Sequence, residues 1–298
     1  MSQVETTDSR SDDAQPFFDL RAFVPDQKAL ARRFATAKPF PHLVLDNVLS
    51  ASPDVMGSWP APEWPHWRGL GDSYQRNKKF CQDIRKIPGP FADLIAQLTQ
   101  PEFLSFLETV TGIEKLIPDP HLEGGGLHLS GPGGILAPHT DFHTYSRLDL
   151  FRRVNVLVYL NEGWTKDDGG YLQLVDPDDD AQVVDVLPTW GTCVIFETND
   201  RSVHGFPVPV VEGKWRRSVA LYYYTAAEAA EFSGDGTTYW REHGENRGLR
   251  RVRLALYRSL LGVSRGFSIA AHLVNPNQGL ELVKTRLRNM RAARKLHD

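Results

Sequence analysis

Cysteine is scarce in this chain: 298 residues include two, Cys81 and Cys193, in no Cys-x-x-Cys pair. A disulfide framework or a zinc ribbon is therefore not expected. Long apolar runs are missing, and no stretch approaches the roughly 20 residues that a membrane-crossing helix requires. The opening residues, Met1 to Asp8, lack the basic segment and apolar run of a signal peptide. No asparagine begins an Asn-x-Ser/Thr sequon. An excess of charge is also lacking: Lys+Arg 34 against Asp+Glu 37 gives a net −3, so no whole-molecule field favours nucleic acid or an anionic membrane. Gly124–Gly126 and Gly131–Gly134 lack the spacing and the Lys-Ser/Thr of a phosphate loop and read as turns between strands. The acidic run Asp176, Asp178, Asp179 and Asp180 lacks the glycine and terminal glutamate of a calcium loop and reads as a solvated turn. These absences lead to the expectation of a soluble, cytoplasmic protein with neither nucleic acid nor membrane as partner.

What remains is ordinary globular composition, 41% hydrophobic and 24% charged. Residues 1–16 are polar and acidic and are expected to be disordered. Residues 17–120 read as a helical support region. A helix opens after Pro25 through Leu30 and Phe34 and stops before Pro39, and two more cover residues 90–98 and 101–111, closed by Gly112. His42–Asp46 reads as a strand. The stretch 58–71, with Trp59, Trp64 and Trp67 among prolines, reads as irregular chain plugging a core edge. Residues 121–225 change texture to short apolar or alternating runs divided by Gly, Pro and Asp, which argues for an antiparallel sandwich or barrel of jelly-roll type. The fold class is thus mainly β with flanking helices. Residues 226–298 read as helical again. Leu280, Val283, Leu287 and Met290 form one apolar face of a terminal helix whose remainder is basic and solvated.

Chemistry concentrates at Pro138-His139-Thr140-Asp141-Phe142-His143. Residues two apart on a strand share a face, so His139 and Asp141 would aim an imidazole and a carboxylate at one point. His204, which a loop after the apolar run 192–196 would carry back beside them, is the candidate third ligand. Two histidines and one carboxylate with other positions open is the ligand set of non-haem Fe(II) oxygenases. By itself His-x-Asp also fits a polar surface strand, and His143 shares its face as a rival ligand or a substrate contact. Farther on, Arg216 and Ser218 share a strand face, and a guanidinium with a hydroxyl beside it can clamp a carboxylate. Lys214 is the alternative cation. Asn155 and Leu157 share a face with Tyr159 and either line a pocket or pack in the core.

The ordered set His139-Thr140-Asp141, Val154 to Asn161, Gly169-Gly170-Tyr171-Leu172, His204 and Arg216-Arg217-Ser218 resembles the prolyl 4-hydroxylase-like branch of the Fe(II)/2-oxoglutarate dioxygenases. The likeness covers about residues 125–225. It implies a double-stranded β-helix (jelly roll) and Fe(II) held by His139, Asp141 and His204. It further implies that Arg216 binds the distal carboxylate of 2-oxoglutarate and that the Tyr159 hydroxyl helps hold it. The implied reaction consumes O2 and 2-oxoglutarate and hydroxylates a C–H bond of a small-molecule or peptidyl substrate. Where the family often has a tyrosine, this chain has His128. A non-catalytic jelly-roll protein with a structural metal is the rival, against which an intact carboxylate clamp argues. Oligomeric state is left unassigned.

Overall fold

The computed structural model describes residues 17–71, 74–145, 147–179, 181–226 and 238–240, with isolated helical positions from 252 to 267. The expected tail at 1–16 and the basic helix around Leu280 lie outside the described residues. Two compact units, Met1–Arg241 and Glu242–Asp298, make up the chain. A short strand, Tyr239–Trp240, pairs with the sheet of the first unit. Among the described residues no helix is long and apolar enough to cross a membrane.

Among the described residues of the first unit, three α-helices and thirteen strands are formed. The helices are α1 (Gln27–Thr36), α2 (Gly89–Gln97) and α3 (Pro101–Thr111). The strands begin with β1 (His42–Leu45), β2 (Arg68–Leu70), β3 (Gln75–Cys81), β4 (Ile117–Pro118) and β5 (Gly126–Thr140). Next come β6 (Thr144–Tyr145), β7 (Leu150–Tyr159), β8 (Leu172–Val175) and β9 (Val183–Val186). The last are β10 (Cys193–Glu197), β11 (Val203–Phe206), β12 (Arg216–Thr225) and β13 (Tyr239–Trp240). Residues 17–120 supply β1 to β4 beside the three helices. Pairing is antiparallel in the order β1-β10-β7-β12-β5-β11-β8-β9, with β3 also against β5. The sheet curls into a nearly closed jelly roll, the double-stranded β-helix that the sequence suggested.

Period-2 alternation sorts the two central strands. On β7, Val154, Val156 and Val158 join the core against the helices, as do Val219, Leu221 and Tyr223 of β12. Phe103 of α3 packs on the Tyr223 ring at 6.2 Å, and Phe91, Leu94, Phe106 and Leu107 complete that layer. The opposite faces, Asn155, Leu157 and Tyr159 on β7 with Arg216, Ser218, Ala220 and Tyr222 on β12, look into the jelly roll. One pair of strands thus anchors the core with one face and furnishes the site with the other.

A correction concerns β5. Gly131–Gly134 reads from sequence as a turn between strands, whereas one strand runs through it. The first half of β5 pairs with β12 from Gly126 to Ser130, and the second half pairs with β11 at Leu136 and His139. The glycines let the strand bend as it changes partners. A Cβ on Gly131 would lie 2.6 Å from the Trp215 ring and 2.7 Å from Asn77 Nδ2, so close approach excludes any side chain there.

Candidate metal centre and carboxylate clamp

His139 and His204 sit directly opposite each other in the β5–β11 register, and Asp141 follows just past the end of β5. Each histidine brings its Nδ1 to a backbone carbonyl, His139 to Ala137 O at 2.9 Å and His204 to Ser202 O at 3.0 Å. A carbonyl only accepts, so Nδ1 carries the proton and Nε2 presents its lone pair inward in the neutral ring. His139 Nε2 lies 3.5 Å from Asp141 Oδ1 and His204 Nε2 lies 3.6 Å from Oδ2. One ligand atom from each of the three residues lies within 4.8 Å of the other two, which is a donor set and a span that fit a single metal ion.

The carboxylate is held from behind. Asp141 Oδ2 accepts from Arg152 Nη2 at 2.8 Å and from Asn155 Nδ2 at 2.7 Å, while Asn155 Oδ1 takes Arg152 Nε and the Thr198 hydroxyl. Burial pushes the Asp141 carboxyl up, but the Arg152 guanidinium and the two imidazoles hold it well below the usual carboxylate range. Burial pushes the His204 imidazole down to about 4. At neutral pH the three groups are thus an anion and a neutral His204 lone pair beside His139, the state in which they bind metal.

Arg152 is a functional residue that the sequence reading passed over. Strict alternation places it on the helix-facing side with Val154. The β7–β12 register shifts between Tyr223 (opposite Val154) and Tyr224 (opposite Arg152), a bulge that absorbs Arg153 and turns Arg152 to the Asn155 side. Its guanidinium carbon stands 3.3 Å from the Tyr222 ring centroid. A bulge leaves no mark in a period-2 pattern, so the sequence carries no signal that Arg152 turns inward.

Arg216 lies at the start of β12, buried, with Nε donating to Gly170 O at 2.7 Å and Nη2 to the Tyr159 hydroxyl at 3.1 Å. Burial pulls its guanidinium below the ordinary value, a cost that a bound carboxylate would offset. Gly170 holds φ +61, and a Cβ there would meet Val210 Cγ2 at 2.8 Å and Arg216 Cδ at 3.3 Å. The Gly-Gly step thereby aims its carbonyl at the guanidinium. Tyr159 sits behind the arginine, fully buried and outside the pocket lining, so it positions the clamp.

Between triad and clamp opens a small pocket, a cavity of about 80 Å³. His139, Asp141, His204, Arg216, Ser218, Asn155, Leu157 and His128 all line it. Lys78 of β3 lines it too, and the sequence reading did not find it. His128 is buried with Nε2 at 3.0 Å from Gly124 O, its pKa pushed well below the ordinary value by that burial. The rivals fall elsewhere. His143 lies beyond the strand end and faces Asp200 at 3.3 Å, and Lys214 pairs with Asp168 at 3.1 Å. In the acidic run, Asp176 and Asp179 accept from nearby backbone amides and Asp178 pairs with Arg201, as in a solvated turn.

Comparison with known proteins adds family likeness. The model of the 2OG-Fe(II) oxygenase superfamily matches residues 125–257. Prolyl 3-hydroxylase OGFOD1 of Mus musculus is 24% identical over 196 residues, covering 62% of this chain and 33% of that one. The Xenopus laevis protein of the same name is 35% identical over 77 residues, covering 24% of this chain and 15% of its own. The chain thus spans a third or less of the curated relatives it matches. A prolyl 4-hydroxylase structure from Phytophthora capsici aligns with TM-score 0.52 and 20% identity, over 84% of this chain and 77% of that one, which is likeness of fold.

Proposed function

We propose, from the match of residues 125–257 to the model of the 2OG-Fe(II) oxygenase superfamily, that the chain is an Fe(II)- and 2-oxoglutarate-dependent hydroxylase. Its substrate in this reading is a small molecule or a peptidyl residue carrying an unactivated C–H bond, and its setting is the cytoplasm. The observation that carries the reading is the convergence of inward-facing His139, Asp141 and His204 atoms within 4.8 Å, in one pocket with the Arg216 guanidinium.

His139, Asp141 and His204 would hold Fe(II) from one side, and Arg216 would take the distal carboxylate of 2-oxoglutarate. Fe(II), 2-oxoglutarate and O2 held there would supply the oxidising power for hydroxylating a C–H bond, with succinate and CO2 as co-products. The chain contributes orientation and exclusion. Arg152 and Asn155 fix the Asp141 carboxylate through Oδ2, so that it would be held in place to bind the metal. Gly170 and Tyr159 fix the Arg216 fork, and Ser218 lines the same wall. Leu136, Leu157, Leu172 and Phe206 keep the lining apolar between these polar points, which limits water around the reacting centre.

The test is succinate formation from 2-oxoglutarate with Fe(II). His139→Ala is expected to abolish metal-dependent turnover. Arg216→Ala is expected to raise the KM for 2-oxoglutarate by roughly tenfold to a hundredfold, the scale of a lost charge-assisted hydrogen-bonded pair. Wild-type activity in both variants would refute the assignment.

A further inference from the structure

Lys78 has no role in the machinery above, yet it belongs to the pocket wall. It stands on β3 opposite Ser130 of β5, and Arg216 of β12 stands opposite the same serine from the other side. Side chains in register across neighbouring strands share a face, so Lys78, Ser130 and Arg216 form one row looking into the cavity. The two cations are held differently, Arg216 by two hydrogen bonds and Lys78 by none among the described residues. Arg216 is drawn by the Tyr159 hydroxyl toward β7, the neighbour of β12 away from β3, and its Nε is held by Gly170 O. Two strand spacings, about 10 Å, separate the Lys78 and Arg216 backbones.

Lys78 is half-buried, and among the described residues its ammonium makes no hydrogen bond and no ion pair. Desolvation lowers its pKa to about 8, Asp141 opposes that shift, and Arg216 and Arg152 add to it. Charge matching within the loaded pocket leaves it over. Fe(II) and doubly charged 2-oxoglutarate would cancel, Asp141 is matched by Arg152, and the loaded pocket would keep a net positive charge shared by Arg216 and Lys78. Desolvated cations of one sign at a shared cavity call for an anion. The cosubstrate has no charge left to give.

We propose, on the oxygenase reading above, that Lys78 is a specificity-determining contact for a carboxylate carried by the primary substrate. The substrate class is then a carboxylic acid, whether a free small molecule or an acidic peptidyl group. The carboxylate docks on the β3 side of the pocket while the C–H bond to be oxidised points toward His139, Asp141 and His204.

The experiment uses the full chain loaded anaerobically with Fe(II) and 2-oxoglutarate, and reads binding as a perturbation of the absorption of that complex. The probes are N-acetyl-L-proline, N-acetyl-L-leucine and N-acetyl-L-phenylalanine, each against its neutral amide. Wild type is expected to bind at least one acid tenfold or more tighter than its amide. Lys78→Met is expected to reduce that preference below threefold and Lys78→Arg to restore it. In the same preparation Lys78→Met should leave the 2-oxoglutarate Kd within twofold, while Arg216→Met raises it tenfold or more. No acid preference in wild type, or a Lys78→Met loss of 2-oxoglutarate binding equal to that of Arg216→Met, overturns the assignment of Lys78. Absence of any Fe(II)-dependent 2-oxoglutarate binding in wild type instead overturns the oxygenase reading beneath it.

Discussion

His204 and Asp141 illustrate how burial and partners divide the charge at the scale of single residues. A buried neutral imidazole must gain a proton when the chain unfolds below the ordinary histidine value of about 6.5. The pKa of His204 is lowered to about 4, and that of His128 is lowered as well. Their contribution to stability is complete above about 6.5 and is lost as pH falls through the folded values. Metal-free protein is therefore expected to show a falling melting temperature from pH 6.5 toward pH 4.5, read by thermal melts in chelator, and His204→Leu should flatten part of that slope. Arg152 supplies a second prediction. Its removal leaves Asp141 buried with one partner fewer, so Arg152→Met should weaken Fe(II) or Mn(II) binding by roughly 10- to 100-fold. Metal titration by calorimetry checks this, and an unchanged Kd would mean that Asn155 alone orients the carboxylate.

At the scale of elements, the β7–β8 connection and β12 share one job, which is to hold a guanidinium still. Gly170 at φ +61 does so with its carbonyl, and the space for a Cβ is taken by Val210 and by Arg216 itself. Gly170→Ala is expected to destabilise the fold by about 1–3 kcal/mol through backbone strain and overpacking. It should also raise the KM for 2-oxoglutarate severalfold, because Arg216 Nε loses its aim. Urea melts and cosubstrate titration read the two effects separately, and a stability loss with an unchanged KM would free Gly170 of any part in the clamp. The bulge at Arg153 shows the same economy: one extra residue on β7 brings a cation round to the metal side without disturbing Val154, Val156 and Val158 against the helices.

Over the whole molecule, site and core are two faces of the same strands, so their stabilities are linked. Phe103 of α3, stacked near Phe18, Phe106 and Tyr223, is among the largest fully enclosed side chains. Phe103→Ala is expected to cost about 3–5 kcal/mol, seen as a lower urea midpoint. Metal should act in the opposite direction. A ligand at 100 times its Kd that binds only the folded chain adds about 2.7 kcal/mol, so chelation is expected to lower the melting temperature of wild type and to leave that of His139→Ala unmoved.

The amino-acid order alone determined a good deal. Gly, Pro and Asp divide residues 121–225 into runs too short for helices, and their alternation requires a sheet with one buried face, so the jelly-roll class was legible. So were His139, Asp141, His204, Arg216 and Ser218 as candidates, because each sits on or beside such a run at a spacing that chemistry uses, while Tyr159 was a candidate only through the family resemblance. Tertiary structure decided what depends on long-range pairing. The hand-over of β5 from β12 to β11 sets His139 opposite His204, the β7 bulge turns Arg152 inward, and β3 brings Lys78 into the row of Arg216. Gln75 to Lys79 is a polar run with no apolar alternation, and it is a strand only because β5 offers it an edge. Local pattern reports which face a side chain takes on its own strand, whereas register and bulges, set by the partner strand, decide what that side chain meets.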